Sequence, residues 1–396
     1  MKKILVFSHA AILEVNRTLF ENLAALAPVE ITLVAPRNWK GDLIENLVFQ
    51  PPPKGSRIQF VTYPVVFSGR GSFFFYRAHV RDFIQRIQPD ILFLDEEPWS
   101  LSAYQSWVKN PSFKQVFYTK QNIYKKLPPP FSWIQNHTFR HSTLALTVSQ
   151  ECTDVLQAKG FQAPVHILPH SYDEKLFHPI APAERARLRS QLGNPLGNQL
   201  SSRLGISPEA TVISYFGRLT SEKGLEDLLT ALTQVVHSTE VKTARVPPHF
   251  LFVGDGPLYG EIAKFCESLP SSQTTLLRAI PHHEVGQTLA LADILVLPSR
   301  TRKNWKEQFG RILIEAMGCQ VATVGSDSGE IPHLIRQTGG GKVFSEGNTS
   351  HLAATLLDLL NQPKVLAELK FQGYQSVQRE FTHIKVAQRL ADILEL

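Results

Sequence analysis

The feature that most constrains this chain is an alternation of short apolar runs with amphipathic helical patterns, which occurs twice. Helical patterns such as NRTLFENLAAL separate several of the runs. Strands that are apolar on both faces and separated by helices are typical of parallel sheets covered by helices. The runs predict strands at 3–7, 30–35, 58–63, 90–95, 115–119, 144–149 and 165–169, and again at 211–218, 250–254, 274–278, 293–299, 320–325 and 341–344.

A polar, strand-free stretch at about 178–208 separates the two sets of strands. The chain has 396 residues, which is more than one core ordinarily holds. We therefore expect an α/β fold with two doubly wound, Rossmann-like domains facing a cleft. The expected division is a first domain at 1–170, a linker region at 171–208 and a second domain at 209–379, with a helix at 380–396 that packs back on the first domain.

Composition and cysteine usage narrow the class of protein. The chain is 43% hydrophobic and 19% charged, and it contains no apolar run long enough to span a membrane. Its start, MKKILVFSHAAIL, resembles a signal peptide, but Ser8 and His9 interrupt the apolar run, so a buried first strand at Ile4–Phe7 is expected. The three cysteines lie far apart without metal spacing, which favours a reducing cytoplasm.

The excess of positive over negative charge is confined to the first half. Residues 1–170 contain 18 Lys and Arg against 12 Asp and Glu, whereas the remainder contains 23 of each. A basic half favours an anionic partner, such as a membrane surface, a lipid phosphate or a nucleic acid. No aromatic RNA-binding motif or recognition helix is evident, so no nucleic acid is expected. The segment FSGRGSFFFYRAHVR at 67–81 combines aromatic and basic residues, which fits peripheral contact with the inner face of an anionic membrane. It also fits an ordinary helix that covers the sheet.

The second half places glycines and charged residues at predicted strand ends, where open parallel sheets bind ligands. YFGRLTSEKG contains Gly217, Arg218 and Lys223, and a helix is expected from about Gly224. Arg218 and Lys223 could together neutralise a diphosphate. FVGDGP adds Gly254, where backbone can approach a ligand closely. Neither segment is a dinucleotide fingerprint or a phosphate-binding P-loop.

The segment KNWKEQFGRILIEAMG sets two glutamates eight positions apart. Its apolar periodicity predicts a helix from about Gly310, so Glu307 lies in the preceding loop and Glu315 lies inside the helix. The free amides at the helix start would then lie between two carboxylates. The alternative is a surface pair between Arg311 and Glu315 with an unrelated loop glutamate.

Taken in order, these motifs resemble the large family of retaining nucleotide-sugar glycosyltransferases with the GT-B fold. The resemblance covers G-R-L-x-x-E-K-G, G-x-G-P, P-S, E-x-F-G…E-A-M and a G-S-D-x-G turn, across about 205–345. LPHSYDEKLFHP at 168–179 also resembles the inter-domain segment of that family, with His170 and Ser171 in place of Asn and Gly. Arg278 stands where the family often has Gly.

The resemblance implies roles for individual residues. Arg218 and Lys223 would bind the diphosphate of a UDP-, GDP- or ADP-linked sugar, Glu315 would bind the ribose hydroxyls, and Glu307 would hold the donor sugar. Because the family is generally metal-free, neither a metal nor another cofactor is expected. The nucleotide-sugar side would also include Gly217, Gly254, Phe309, Gly310, Arg311 and Ile312.

The first half would bind the acceptor, a glycan, a lipid-linked molecule or a small molecule. LDEEPWS places Asp95, Glu96, Glu97 and Trp99 at a strand end, where carboxylates and an indole suit a sugar; the alternative is a solvated acidic turn. His9 is a second acceptor-side candidate. Gln121 stands in FYTKQNIY where the family commonly has His, so it can hold a hydroxyl but cannot act as a base.

No base is tied by spacing to the reacting carbon, which favours retention of anomeric configuration. The expected enzyme is thus a glycosyltransferase of glycan or glycolipid synthesis. A nucleotide-sugar epimerase of the same fold and a catalytically degenerate sugar-nucleotide-binding protein are the alternatives. A phosphorylase would need a pyridoxal-binding lysine, and none is evident.

Overall fold

Two parallel sheets organise the chain. The computed structural model describes residues 1–41, 46–52, 55–108, 111–191 and 205–396. These divide into a first domain, Met1–His170 with His383–Leu396, and a second domain, Ser171–Thr382.

The first domain contains a seven-stranded sheet of order β11-β10-β9-β8-β1-β2-β5, in which all neighbours are parallel. Its strands, with those of two small hairpins, are β1 (Lys2–Ser8), β2 (Val29–Pro36), β3 (Asn38–Trp39), β4 (Leu47–Val48), β5 (Ile58–Tyr63), β6 (Val65–Val66), β7 (Phe75–Tyr76), β8 (Ile91–Asp95), β9 (Lys114–Thr119), β10 (Leu144–Thr147) and β11 (Val165–Ile167). Its helices are α1 (Thr18–Leu26), α2 (Val80–Ile87), α3 (Leu101–Gln105), α4 (Phe131–His141) and α5 (Gln150–Ala158). The predicted first strand is confirmed, since Ile4–Phe7 is fully buried.

The second domain contains a six-stranded parallel sheet of order β14-β13-β12-β15-β16-β17. Its elements in chain order are α6 (Pro182–Gln191), β12 (Val212–Phe216), α7 (Leu225–His237), α8 (Thr239–Lys242), β13 (His249–Val253), α9 (Tyr259–Glu267), β14 (Thr274–Leu277), α10 (His282–Leu289), β15 (Ile294–Leu297), α11 (Arg311–Gly318), β16 (Ala322–Ser326), α12 (Ile331–Thr338), β17 (Gly341–Phe344), α13 (Thr349–Asn361) and α14 (Pro363–Glu380). Helix α15 (His383–Leu394) then packs against α1 of the first domain.

The predicted strands of both sets are present, and the α/β class with two Rossmann-like domains is confirmed. The polar stretch at 178–208 contains helix α6, which belongs to the second domain, while 192–204 lie outside the described residues.

The interpretation of 67–81 as one helix covering the sheet is wrong. The hairpin of β6 and β7 and several turns occupy residues 65–79, and α2 begins only at Val80. The apolar face of α2, with Val80, Phe83 and Ile84, packs into the core of the domain. The preceding residues lack the periodicity of a helix because Gly69 and Gly71 interrupt them.

Candidate functional site

The second sheet reverses its strand order between β12 and β15, with β13 on one side and β16 on the other. Open α/β sheets bind ligands at the carboxyl ends of the strands that flank such a reversal. Gly217 and Arg218 follow β12, and Pro298 and Ser299 follow β15. The geometry therefore locates a candidate site at this edge of the second sheet, where the sequence motifs predicted one.

Lys223 and Glu307 form the centre of this site. Nζ of Lys223 lies 2.7 Å from Oε2 of Glu307, and the two side chains are only 15% and 12% exposed. Oγ of Ser299 donates to the same carboxylate oxygen at 2.8 Å. The Lys223 ammonium also lies 4.9 Å from the ring centre of Trp305, within the range of a cation–π contact. These contacts hold the loop that contains Glu307 against the turn that contains Lys223.

Close approach of two strand-end loops depends on Gly254. The amide of Gly217 donates to the carbonyl of Val253 at 3.0 Å, and the amide of Leu219 donates to that of Asp255 at 2.9 Å. A Cβ on Gly254 would collide with the carbonyl oxygen of Gly217. Both predicted glycines therefore belong to one loop pair beside Arg218.

Helix α11 begins as predicted. Gly310 has φ of +81°, in the left-handed region that favours glycine, and the helix starts at Arg311. The amides of Arg311 and Ile312 have no acceptor within their own helix, and the helix dipole makes this end positive. The side chains of Phe309 and Leu313 are buried, so a ligand at this helix start would meet the backbone rather than the phenyl ring.

Glu315 lies one turn inside α11 and is half-buried. No described residue donates a hydrogen bond to its carboxylate or forms an ion pair with it, so the alternative of an Arg311–Glu315 surface pair is wrong. Desolvation raises the pKa of Glu315 to about 7, although the charge of Arg311 partly offsets this. A carboxylate without a protein donor suits a ligand that carries hydroxyl groups.

Arg218 is the more solvent-accessible of the two predicted diphosphate-binding cations. Its side chain is 41% exposed, and its Nη2 lies 3.7 Å from Oε1 of Glu222. The hydroxyl of buried Tyr215 donates to the backbone carbonyl of Arg218 at 2.6 Å, which fixes the main chain at this position. The guanidinium therefore remains available to an anionic ligand, since its contact with Glu222 is long and exposed.

The first sheet reverses its order between β1 and β8, and the acceptor-side candidates lie there. The amide and Nδ1 of His9 contact the two carboxylate oxygens of Glu96, each at 2.7 Å. Desolvation lowers the pKa of His9, but the charge and hydrogen bond of Glu96 and the charge of Asp95 together outweigh it and raise the pKa above its ordinary value. This arrangement orients an imidazole that is 32% exposed against a buried carboxylate.

Asp95 and Glu97 also accept bonds from protein groups. Ser8 Oγ donates to Asp95 at 2.6 Å, and Lys120 Nζ donates to it at 2.8 Å. Glu97 accepts from Oγ1 of Thr119 at 2.5 Å and from the amide of Lys120 at 3.0 Å. Since Asp95 and Glu96 are buried, the alternative of a solvated acidic turn is wrong. The cluster is a preorganised network at the strand ends.

Trp99 and Gln121 flank this network. Nε1 of Trp99 donates to Oγ of Ser72 at 3.0 Å, and Nζ of Lys159 lies 4.9 Å from the indole ring centre. Desolvation lowers the pKa of Lys159 to about 8. The amide of Gln121 donates to Oγ1 of Thr119 at 3.3 Å, which places this residue at the carboxyl end of β9 as predicted.

Several residues of both sites have no role in the sequence prediction. They are Ser299 and Trp305 in the second domain and Ser8, Lys120 and Lys159 in the first. Ser8, Lys120 and Ser299 each lie at or just after the end of a predicted strand, so strand position alone could have indicated them. Within the described ranges, no group of three His, Cys, Asp or Glu residues could hold a metal ion.

Comparison with known families finds a match for the second domain. Residues 198–376 match the family model of the glycosyl transferases group 1, a range that includes Arg218, Lys223, Glu307 and Glu315. The second domain is therefore similar to the group 1 glycosyl transferases. The enzyme class expected from the motifs is the class of this family.

Two curated relatives are about one quarter identical to this chain over the residues that align. A GDP-mannose-dependent monoacylated α-(1-6)-phosphatidylinositol monomannoside mannosyltransferase of Corynebacterium glutamicum is 27% identical over 230 residues, which are 58% of this chain and 55% of that protein. An N-acetyl-α-D-glucosaminyl L-malate synthase of Bacillus anthracis is 26% identical over 195 residues, 49% of this chain and 48% of the relative. The matches thus span about half the length of these two relatives.

Solved structures extend the likeness of fold to both domains of the chain. Sucrose-phosphate synthase from Thermosynechococcus elongatus aligns with a TM-score of 0.73 at 16% identity, over 100% of this chain and 98% of that one. HepE of Anabaena in complex with UDP aligns with a TM-score of 0.69 at 16% identity, over the whole of both chains. Among the residues that the structure describes, helices long and apolar enough to cross a membrane are not found.

Proposed function

We propose that this chain transfers a sugar from a nucleotide-diphosphate donor to an acceptor, with retention of anomeric configuration. The observation that carries the proposal is the largely shielded Lys223–Glu307 pair at a strand end, next to the start of α11. A cation, a carboxylate and a helix N-terminus suit a ligand that has a diphosphate beside sugar hydroxyls. The family match of the same residues supports this assignment.

Each residue of the second-domain site then has a separate task. Lys223 and Arg218 bind the diphosphate and stabilise the negative charge that develops as it leaves. Glu307, held by Lys223 and Ser299, accepts hydrogen bonds from donor-sugar hydroxyls. Glu315 accepts hydrogen bonds from the ribose. Rigid placement of the donor lowers the entropy cost of the reaction.

The acceptor-side groups lie in the first domain. His9, oriented by Glu96, and Glu97 hold acceptor hydroxyls, and Trp99 offers an apolar face to a sugar ring. In a retaining reaction the departing diphosphate oxygen takes the acceptor proton. The His9–Glu96 pair was not foreseen as a unit, and it has the form of an oriented base. The stereochemistry of the product therefore decides between an orienting role and a proton-accepting role for His9.

A lipid-linked acceptor at an anionic membrane is the partner that the surface of the first domain favours. Phe67 and Phe73 are 54% and 47% exposed, and Arg70 and Arg77 on the same segment are exposed. Phe73 lies edge-on to Phe131 at 5.0 Å, which continues the aromatic surface onto α4. Aromatic rings between arginines are suited to an interface of lipid headgroups.

The experiment that tests the function is a panel of UDP-, GDP- and ADP-linked sugars. We expect one donor to raise the unfolding temperature of the protein and to release its nucleoside diphosphate when an acceptor is present. Lys223→Met should remove both effects. If a donor stabilises the protein but no acceptor promotes nucleotide release, the chain is a sugar-nucleotide-binding protein. If no donor stabilises it, the proposal is wrong.

A further inference from the structure

Three cations surround one carboxylate at the amino end of β15, on the second sheet. Asp293 precedes this strand, and its two oxygens accept from Nη2 of Arg185 at 2.8 Å, from Nη2 of Arg189 at 2.7 Å and from Nζ of Lys370 at 2.9 Å. In the described part of the chain, Asp293 is the one carboxylate that pairs with any of the three. The cluster therefore has two positive charges in excess.

Many of the donor groups of the two arginines form hydrogen bonds with backbone carbonyls. Arg189 is 3% exposed and donates to the carbonyls of Leu291, Pro208 and Ala210. Arg185 donates to the carbonyls of Ala290, Leu291 and Ala292, just after the end of α10. The negative end of a helix dipole amounts to about half a charge, so more than one positive charge stays uncompensated.

The spare donors belong to Arg185 and Lys370. Nη1 of Arg185 makes no hydrogen bond with the described residues, and Lys370 uses one of its three ammonium protons, on Asp293. Desolvation lowers the pKa of Lys370. The contact with Asp293 raises this pKa, but the charges of Arg185 and Arg189 lower it, so it stays below its ordinary value. A bound anion would relieve this repulsion.

A cavity of about 270 Å³ opens beside these groups. Arg185, Arg189 and Lys370 line it together with Gln320 and prolines of the α6 region. A water molecule occupies about 30 Å³ in the liquid, so this space admits a phosphate with several further atoms attached. Its wall offers a guanidinium, an ammonium and an amide, which are groups that bind a phosphate dianion.

We propose that this cavity binds a phosphate group, as the free ion or on a small phosphomonoester. The site is separate from the donor site, because Asp293 lies at the amino end of β15 and Ser299 follows its carboxyl end. A strand of four residues spans about 13 Å. In this proposal, Lys370 supplies positive charge to the phosphate, whereas Arg189 holds the surrounding backbone in place.

The experiment titrates the whole chain with inorganic phosphate and with glycerol 3-phosphate, at constant ionic strength. Amide NMR shifts of the wild-type protein should move at Gln320, Asp293 and Lys370, and less at Gly310–Ile312. Lys370→Met should weaken phosphate binding at least tenfold, while Lys370→Arg should retain it. Lys364→Met on the exposed part of the same helix is the matched control, and Lys223→Met reports binding at the donor site.

The outcomes separate the possibilities. Tighter binding of glycerol 3-phosphate than of inorganic phosphate identifies a phosphomonoester as the ligand, and equal binding identifies the free ion. Shifts confined to Gly310–Ile312, or loss of binding in Lys223→Met alone, would overturn the proposal. Equal affinities of Lys370→Met and Lys364→Met, with matching unfolding temperatures in the absence of phosphate, would overturn it as well. The wild-type shifts decide the case even where Lys370→Met does not fold.

Discussion

Nζ of Lys223 and Oε2 of Glu307 lie 2.7 Å apart in the second domain, although 84 positions separate the two residues in the chain. Both side chains are largely shielded from water, so their attraction is screened less than that of a surface pair. The pair links the turn after β12 to the loop before α11, and each element contributes one group to the candidate donor site.

Lys223→Met should slow sugar transfer more than it destabilises the fold. It removes a positive charge that stabilises the departing diphosphate and that pairs with Glu307, so a cost on the order of 2–4 kcal/mol in kcat/KM is expected. Steady-state kinetics with a saturating acceptor measure this. Lys303→Met, on the exposed part of the loop that contains Glu307, should retain activity. Equal kcat/KM for the Lys223 variant and the wild type would refute the assignment.

Glu315→Gln should change how stability depends on pH. The pKa of Glu315 is about 7 in the folded state against an ordinary 4.5, so the folded protein holds this proton more tightly than the unfolded chain. The wild type therefore loses unfolding free energy as the pH rises from 4.5 to 7, by at most about 3 kcal/mol. Denaturant unfolding should be measured at pH 5 and pH 8. The unfolding free energy of the variant, relative to that of the wild type, should be higher at pH 8 than at pH 5. The same difference at both pH values would contradict this.

Glu96→Gln should lower the pKa of His9. In the native protein, desolvation disfavours the imidazolium, and the charge and hydrogen bond of Glu96 together with the charge of Asp95 outweigh it; the variant loses the charge of Glu96. An NMR titration of the imidazole carbon-bound protons measures the change. Glu97→Gln is the control, since Glu97 contacts Thr119 and Lys120 rather than His9. An unchanged or higher pKa in the Glu96 variant would exclude this coupling.

Replacement of Arg70, Arg77 and Arg81 by Gln should reduce binding to vesicles that contain anionic lipid. These arginines are exposed beside aromatic residues, and their attraction to anionic headgroups is screened by salt. Flotation of the wild type should therefore be lost at high ionic strength. A control variant with Lys242, Arg245 and Lys264 of the second domain replaced by Gln should float normally. Equal flotation of wild type with neutral and anionic vesicles would argue against membrane contact.

An α-linked donor should give an α-linked product. In the proposed reaction the leaving diphosphate takes the acceptor proton on the face from which it departs, and no separate base is required. The anomeric proton coupling of the product, measured by NMR, reports the configuration. A β-linked product would refute retention and would assign the role of base to His9, with Glu96 as its orienting partner.

The sequence alone determined the elements of this fold. Apolar runs bounded by polar turns predicted the strands of both sheets, and helices began near Gly224 and Gly310 as expected. These patterns are local, because strand burial and helix starts are encoded within a few residues. The two-residue strands of the small hairpins were missed, since they are too short to show a period.

The tertiary structure decided which of the charged residues act together. Spacing in the chain does not show that His9 meets Glu96 across 87 positions, or that Asp293 meets Lys370 across 77. Parallel strands bring residues to one edge only through the order in which they pair, and that order depends on packing of the whole domain. Burial followed from the same packing, and it alone raised the pKa of Glu315 and kept Asp95 and Glu96 out of water.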